Sequence, residues 1–206
     1  MEPHRPRTAR VVAKRVYAYL KAGRLNALTR LPIVRQIHRR LAPHMTSADV
    51  LEIAGALDDA GVHYWLAGGW GVDALVGHQT RDHRDLDLVI DGADTARALE
   101  AMSARGFRHV PAVADNAHRE VPGAFMPYRE LIQDDRQRTV DMHPVDLATW
   151  PDESSLSDRF TVGSIGGREV PCLSVTSQRA AHQGFVLTEA HIADLRALDG
   201  LSRATP

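Results

Sequence analysis

Asp85 and Asp87 are the residues whose type and spacing most directly suggest chemistry. The run Asp85-Leu86-Asp87-Leu88-Val89-Ile90 reads as a β-strand. Side chains alternate between the faces of a strand, so the two carboxylates share one side and Leu86, Leu88 and Ile90 the other. Two neighbouring carboxylates repel, and ionising both is costly unless a cation lies between them. Mg²⁺ suits such a pair, because it takes one or two carboxylates together with substrate phosphates. A third acid, Asp141, stands near the end of another predicted strand, in Thr139-Val140-Asp141-Met142-His143-Pro144. Three carboxylates on adjacent strands suit metal-assisted phosphoryl or nucleotidyl transfer, the third also accepting the proton of an attacking hydroxyl. Spacing alone fits equally well an edge strand whose acids face water.

The elements around these residues follow an α/β pattern. Thr46-Ser47-Ala48-Asp49 opens a helix with a capping box, Val50, Ile53, Ala54 and Leu57 lie on its apolar face, and Gly61 ends it. Residues 62–67 read as a strand, Gly68-Gly69 as a turn that a triphosphate can approach, and Trp70 to Val76 as a short helix closed by Gly77. A helix is expected from Thr95 to Arg105 and a loop or lid over 110–124. Strands are expected from Arg129 to Gln133 and from Arg138 to Met142, the latter ended by Pro144. Phe160–Ile165 and Arg168–Leu173 form a hairpin about Gly166-Gly167, and Ser174 to Gly200 is mostly helical.

Charge divides the chain in two. Residues 1–44 hold eleven Lys/Arg against Glu2, a net +10, whereas residues 45–206 carry 14 basic and 25 acidic side chains, a net −11. This predicts a basic helical extension, 1–44, on an acidic catalytic domain, 45–206. Three roles fit the extension: an arm for RNA, a membrane surface or a partner; a helical pair packed on the domain; or sequence upstream of a start at Met45. No run approaches the ~18 apolar residues of a membrane span. The single cysteine, Cys172, excludes an internal disulfide, reads as a small buried apolar group, and is consistent with the cytoplasm. Eleven histidines show no H-E-x-x-H or comparable metal spacing.

Two look-alikes overlap the acid pair. His83-Arg84-Asp85-Leu86 copies the start of a kinase catalytic loop, but Ile90 replaces the required asparagine and there is no D-F-G triplet. Gly69-Trp70-Gly71-Val72-Asp73-Ala74 matches a dinucleotide fingerprint, with Asp91 22 residues beyond Gly69. The missing succession of βα units, the two acids on the next strand and the bulk of Trp70 all speak against that match.

Taken together, Tyr64-Trp65-Leu66-Ala67-Gly68-Gly69-Trp70-Gly71-Val72-Asp73, Gly77, Arg81 and His83-Arg84-Asp85-Leu86-Asp87 resemble the core motif of the lincosamide nucleotidyltransferases. These are relatives of the aminoglycoside 2″-O-nucleotidyltransferases in the DNA-polymerase-β-like superfamily. The resemblance continues through Met126-Pro127-Tyr128-Arg129, Val140 to Pro144, Val170 to Ser174 and Gly184 to Glu189, and so spans about residues 46–200. It implies an α/β (α+β) nucleotidyltransferase fold, a mixed β-sheet flanked by helices with a helical C-terminal part. It further implies Mg²⁺ on Asp85 and Asp87 with Asp141 as general base and shared ligand. Nucleotide phosphates would lie at Gly68 and Gly69, with Arg81 and Arg129 contacting triphosphate or substrate, unless both arginines are spent on local salt bridges. His83 would orient the strand or a carboxylate.

The implied reaction transfers a nucleoside monophosphate, from ATP or another nucleoside triphosphate, to a hydroxyl of a small molecule such as a lincosamide or aminoglycoside antibiotic. An antitoxin-like enzyme modifying a protein or tRNA, with nucleic acid held through residues 1–44, and a non-catalytic nucleotide-binding protein are the alternatives. Two departures from the family pattern fall where acceptor recognition is expected. His191 stands where an acid often precedes the retained Asp194, and the 110–124 loop is longer.

Overall fold

A computed structural model describes residues 44–110, 129–147, 156–183 and 186–204. The expected helices of residues 1–44 and the expected lid at 110–124 fall almost wholly outside these segments.

The first helix, α1 (Ser47–Asp59), starts as its sequence predicts. The Thr46 hydroxyl accepts from the Asp49 backbone N–H, and the Asp49 carboxylate accepts from the Thr46 N–H in return. Strand β1 (Tyr64–Ala67) follows, then α2 (Gly68–Val76), β2 (Asp85–Asp91), a 3₁₀ turn (Gly92–Asp94) and α3 (Thr95–Ala104). Next come β3 (Arg108–His109), β4 (Glu130–Gln133), β5 (Thr139–Val145), α4 (Leu156–Arg159), β6 (Phe160–Ile165), β7 (Arg168–Leu173), α5 (Val175–Ala181) and α6 (Glu189–Ala204).

Seven strands form one mixed sheet in the order β3-β4-β5-β2-β1-β7-β6, in which β2·β5 and β1·β7 are parallel and the other pairs antiparallel. The antiparallel pairing of β1 with β2 removes the dinucleotide-binding alternative, since that fold needs parallel strands on either side of its glycine-rich turn.

Alternation along the strands makes the two faces of the sheet unlike. Tyr64 and Leu66 of β1, Leu86, Leu88 and Ile90 of β2, Val140 and Met142 of β5 and Cys172 of β7 form the main core with Val50, Ile53 and Leu57 of α1 and Met102 of α3. Each such side chain contributes roughly 1.5–3 kcal/mol of transfer free energy. The opposite face carries Asp85 and Asp87 together with a smaller cluster of Ala67, Val89 and Leu173, flanked by Trp65, Val145 and Phe160. Trp65 and Phe160 stack there at a centroid distance of 3.8 Å.

Three expectations change in detail. Helix α2 begins at Gly68, not Trp70, so the Gly-Gly pair forms its first turn. Strand β5 runs through Pro144 to Val145, opposite Ile90 and Asp91 of β2. Proline is tolerated because, beyond Met142, β4 no longer pairs with β5, and its missing N–H breaks no ladder on that side. The C-terminal helical stretch is two helices, the first capped by the Ser174 hydroxyl accepting from the Ser177 N–H. The Gly166-Gly167 hairpin is as expected, with φ of 58° and 82° at its two central residues, the signature of a turn that matches strand twist.

Candidate active site

The site grows from two residues facing each other across parallel strands. Asp87 of β2 and Asp141 of β5 are register partners, and Ala67, the last residue of β1, stands opposite Asp87 on its other side. The chain leaves β1 directly into α2 and brings Gly68 against the Asp87 carboxylate. A Cβ on Gly68 would sit 2.8 Å from Asp87 Cγ, and the Gly68 φ of +54° independently favours glycine. Ala67, at the N-cap of α2, offers no side-chain bond to the first amides of the helix. Uncapped amides at a helix N-terminus, with the dipole behind them, make a site for anions.

Asp87 carries the strongest electrostatic signature. Burial and then the charges of Asp85 and Asp141 raise its pKa well above the usual carboxylate range, outweighing Arg129 and Arg81. Asp85 is exposed, one strand step nearer solvent, opposite Thr139. Asp141 is buried and held by Arg129, whose Nε donates to Oδ1 at 2.9 Å and whose Nη2 donates to Oδ2. Of the three predicted acids, then, Asp87 and Asp141 are brought directly together and Asp85 acts on Asp87 through space.

His143, two residues after Asp141 on the same face, brings its Nε2 to 3.7 Å from Asp141 Oδ1. Asp87, Asp141 and His143 each offer a ligand atom within 4.8 Å of the others. Two facing carboxylates, of which Asp87 has no ion pair among the described residues, with the His143 imidazole in reach, fit a divalent cation.

Behind this row lies a support that local patterning did not reveal. His83 is buried, and its Nε2 meets Asp73 Oδ2 at 2.5 Å. The other Asp73 oxygen accepts from the N–H and hydroxyl of Thr80 at 3.0 and 2.6 Å. The carboxylate that His83 contacts is thus Asp73, inside α2, rather than Asp85, Asp87 or Asp141. A Cβ on Gly69 would lie 2.5 Å from both His83 Cε1 and Arg81 Nη2, so only glycine lets these side chains close on the helix start.

Arg81 is itself tied to Asp194 of α6, its Nε and Nη2 donating to the two carboxylate oxygens at 2.9 and 2.7 Å. Both predicted cations, Arg81 and Arg129, are therefore engaged by carboxylates at the rim of the site. Burial alone would raise the pKa of Asp194, but His182 and Arg81 overcome it and hold the group at about 2. Cys172 is fully buried in the core and its thiol is pushed up to about 12 by burial, as befits a packing residue.

Among the described residues no helix is long and apolar enough to cross a membrane.

Known proteins resemble this chain in sequence and in fold. A lincosamide resistance protein from Staphylococcus haemolyticus is 27% identical over 172 residues, spanning 77% of this chain and 98% of that protein. A 2″-aminoglycoside nucleotidyltransferase from Klebsiella pneumoniae is 41% identical over a stretch of 51 residues, 25% of this chain and 28% of the relative. The crystal structure of the lincosamide antibiotic adenylyltransferase LnuA with lincomycin bound superposes with a TM-score of 0.62 at 27% identity, covering 77% of this chain and 99% of LnuA. The solution structure of the antibiotic-resistance factor ANT(2″)-Ia shares the fold, with a TM-score of 0.58 at 21% identity over 76% of this chain and 83% of that one. The model of the aminoglycoside-2″-adenylyltransferase family matches residues 49–198, and the chain belongs to that family of antibiotic-modifying nucleotidyltransferases.

Proposed function

We propose that this enzyme transfers AMP from ATP to a hydroxyl of a lincosamide- or aminoglycoside-type small molecule, with Mg²⁺ as its metal. One observation carries the reading: Asp87 and Asp141 face each other in register while Gly68, at the open start of α2, touches the same carboxylate. This supports the reading, because metal ligands and phosphate seat would then lie side by side.

Asp87 and Asp141 would hold the cation, with Asp85 adding negative charge from the strand entrance and His143 within reach. When bound, Mg²⁺ would polarise the α-phosphate and neutralise charge on the departing pyrophosphate. The amides of Gly68 and Gly69 would receive phosphate oxygens along the dipole of α2. Arg81, beside Gly69, would offset the leaving group's charge, and Arg129 would divide its donors between Asp141 and substrate. Its grip fixes the Asp141 carboxylate in place, so that this group can take the proton as the acceptor oxygen bonds to the α-phosphorus. The bond from the α-phosphorus to the bridging oxygen breaks, and pyrophosphate leaves. The acidic balance of residues 45–206 favours a cationic acceptor.

The test is an acceptor screen. The protein, Mg²⁺ and each of the four nucleoside triphosphates are incubated with lincosamides, aminoglycosides and a cell lysate, and products are weighed by mass spectrometry. An AMP adduct on an antibiotic is the expected outcome. Adducts confined to protein or RNA would replace this reading with macromolecular modification, and nucleotide binding without pyrophosphate release would remove the enzymatic one.

A further inference from the structure

We propose that Asp194, on the C-terminal helix α6, is the positioning residue for Arg81, fixing its guanidinium at the start of α2 so that it meets the triphosphate preoriented. This rests on the reading of Gly68, Gly69 and Arg81 as the triphosphate seat.

Arg81 lies in the loop between α2 and β2, and a free arginine there would sample many rotamers, at a side-chain entropy cost when it closes on a ligand. The structure removes that freedom on three sides. Asp194 takes Nε and Nη2 in a two-bond fork, the Asp82 carbonyl accepts from Nη1 at 3.2 Å, and Nη2 rests over Gly69, where a side chain would otherwise stand. Three of the five guanidinium N–H donors are spent on these bonds, which leaves two for an anion.

Asp194 is itself immobilised. It is 1% exposed. His182 Nε2 lies 3.8 Å from Asp194 Oδ2, while His182 Nδ1 meets the Gln178 carbonyl at 2.7 Å. A carboxylate beside a phosphate seat would repel substrate if it stood alone. Here two basic side chains, Arg81 and His182, face it, so the group can orient Arg81 without presenting net negative charge to the nucleotide. Residues 113 positions apart thus meet at one fork, and α6 becomes part of the nucleotide site without touching the nucleotide.

The experiment compares Arg81→Ala, Asp194→Asn and the double variant with the unaltered enzyme, measuring kcat, KM for Mg·ATP, KM for the acceptor and the unfolding midpoint. Asp194→Asn preserves shape but loses the charged fork. It should raise KM for Mg·ATP about tenfold to a hundredfold, the scale of a slightly misplaced binding group, and leave acceptor KM unchanged. In the Arg81→Ala background the same change should add less than twofold, because there is then nothing to position. A shift in the unfolding midpoint with unchanged KM would make Asp194 a structural tie and overturn the proposal. An Arg81→Ala variant with normal Mg·ATP KM would instead overturn the assignment of Arg81 to the triphosphate, a distinct failure. Should Asp194→Asn not fold, Arg81→Lys keeps the charge without the two-bond fork; a normal KM in that variant would equally overturn the proposal.

Discussion

Two regions of this molecule are built from the same materials, arginine and carboxylate, and they behave in opposite ways. At the turn between β4 and β5, Arg138 is buried and donates to Asp134 at 2.7 Å and Glu52 at 2.9 Å, and Arg136 reaches Glu52 at 2.8 Å and Asp49 at 3.3 Å. Burial opposes ionisation of Asp49 and Glu52, but Thr46 and the two arginines lower the pKa of Asp49, and the two arginines that of Glu52. This network pins the β4–β5 turn to α1. At the opposite extreme, among the described residues no ion pair reaches Asp87, and its pKa is driven up by burial and two like charges. A cluster in which every carboxylate has an arginine partner pins one element to another, whereas a carboxylate left without one stores a demand for a cation that a ligand can supply.

The sharpest way to break the contrast is Asp87→Ala. It should lower kcat by at least about 10²–10³-fold, the scale of losing a preorganised electrostatic group, while the protein remains folded. Steady-state assays beside a thermal melt would check it, and a turnover within tenfold of normal would remove Asp87 from the metal site. Asp141→Asn comes next, with kcat reduced about 10²-fold and ATP binding largely kept, as expected for the loss of a general base. Isothermal titration with a non-hydrolysable ATP analogue separates the two effects.

Arg138→Ala tests the other region. It leaves the buried Asp134 carboxylate with only the residue 138 backbone N–H and Arg136 at 3.6 Å, and should cost up to about 3–5 kcal/mol in denaturant unfolding, with kcat normal in whatever remains folded. The smallest effect is the most diagnostic. Asp49, Glu52 and Asp194 have lowered pKa values, so their stabilisation is complete above the unfolded carboxylate range near pH 4 and is lost as pH falls, for Asp194 through about 2. Asp87 has the reverse sign. Its raised value means that, without divalent cation, stability declines as pH climbs from about 4 through its folded pKa. Asp87→Asn should therefore raise the metal-free melting temperature by a few degrees near neutrality and leave the acid limb unchanged.

Period-two alternation made much of this readable in the sequence. Leu86, Leu88 and Ile90 had to share a face opposite Asp85 and Asp87, and the capping residues Thr46 and Asp49 and the Gly166-Gly167 turn have local signatures. The parallel register that sets Asp87 against Asp141 was not readable, because pairing between strands 54 residues apart leaves no local trace. The partners of the charged side chains were equally hidden. Asp73 lies inside a glycine motif with nothing local to name its partners, yet it anchors His83 and Thr80 from inside a helix. Arg81 pairs with Asp194 only because α6 returns across α2, and no pattern within either segment reports that return. His143 carries no signal of its own, because a single histidine lacks the spacing of a metal motif; only its place two residues from Asp141 sets it apart.

The attachment of Met45 has a mechanical consequence. Its side chain is 2% exposed in the core, and its backbone N–H donates to the His83 carbonyl at 2.8 Å. His83 in turn packs on Gly69 and Trp70. A tether or surface attachment placed in residues 1–43 would therefore transmit its load through Met45 to the same histidine that braces the glycine pair. Met45 is thereby a handle on the glycine pair from the amino-terminal side, as Asp194 of α6 is, through Arg81, from the carboxy-terminal one.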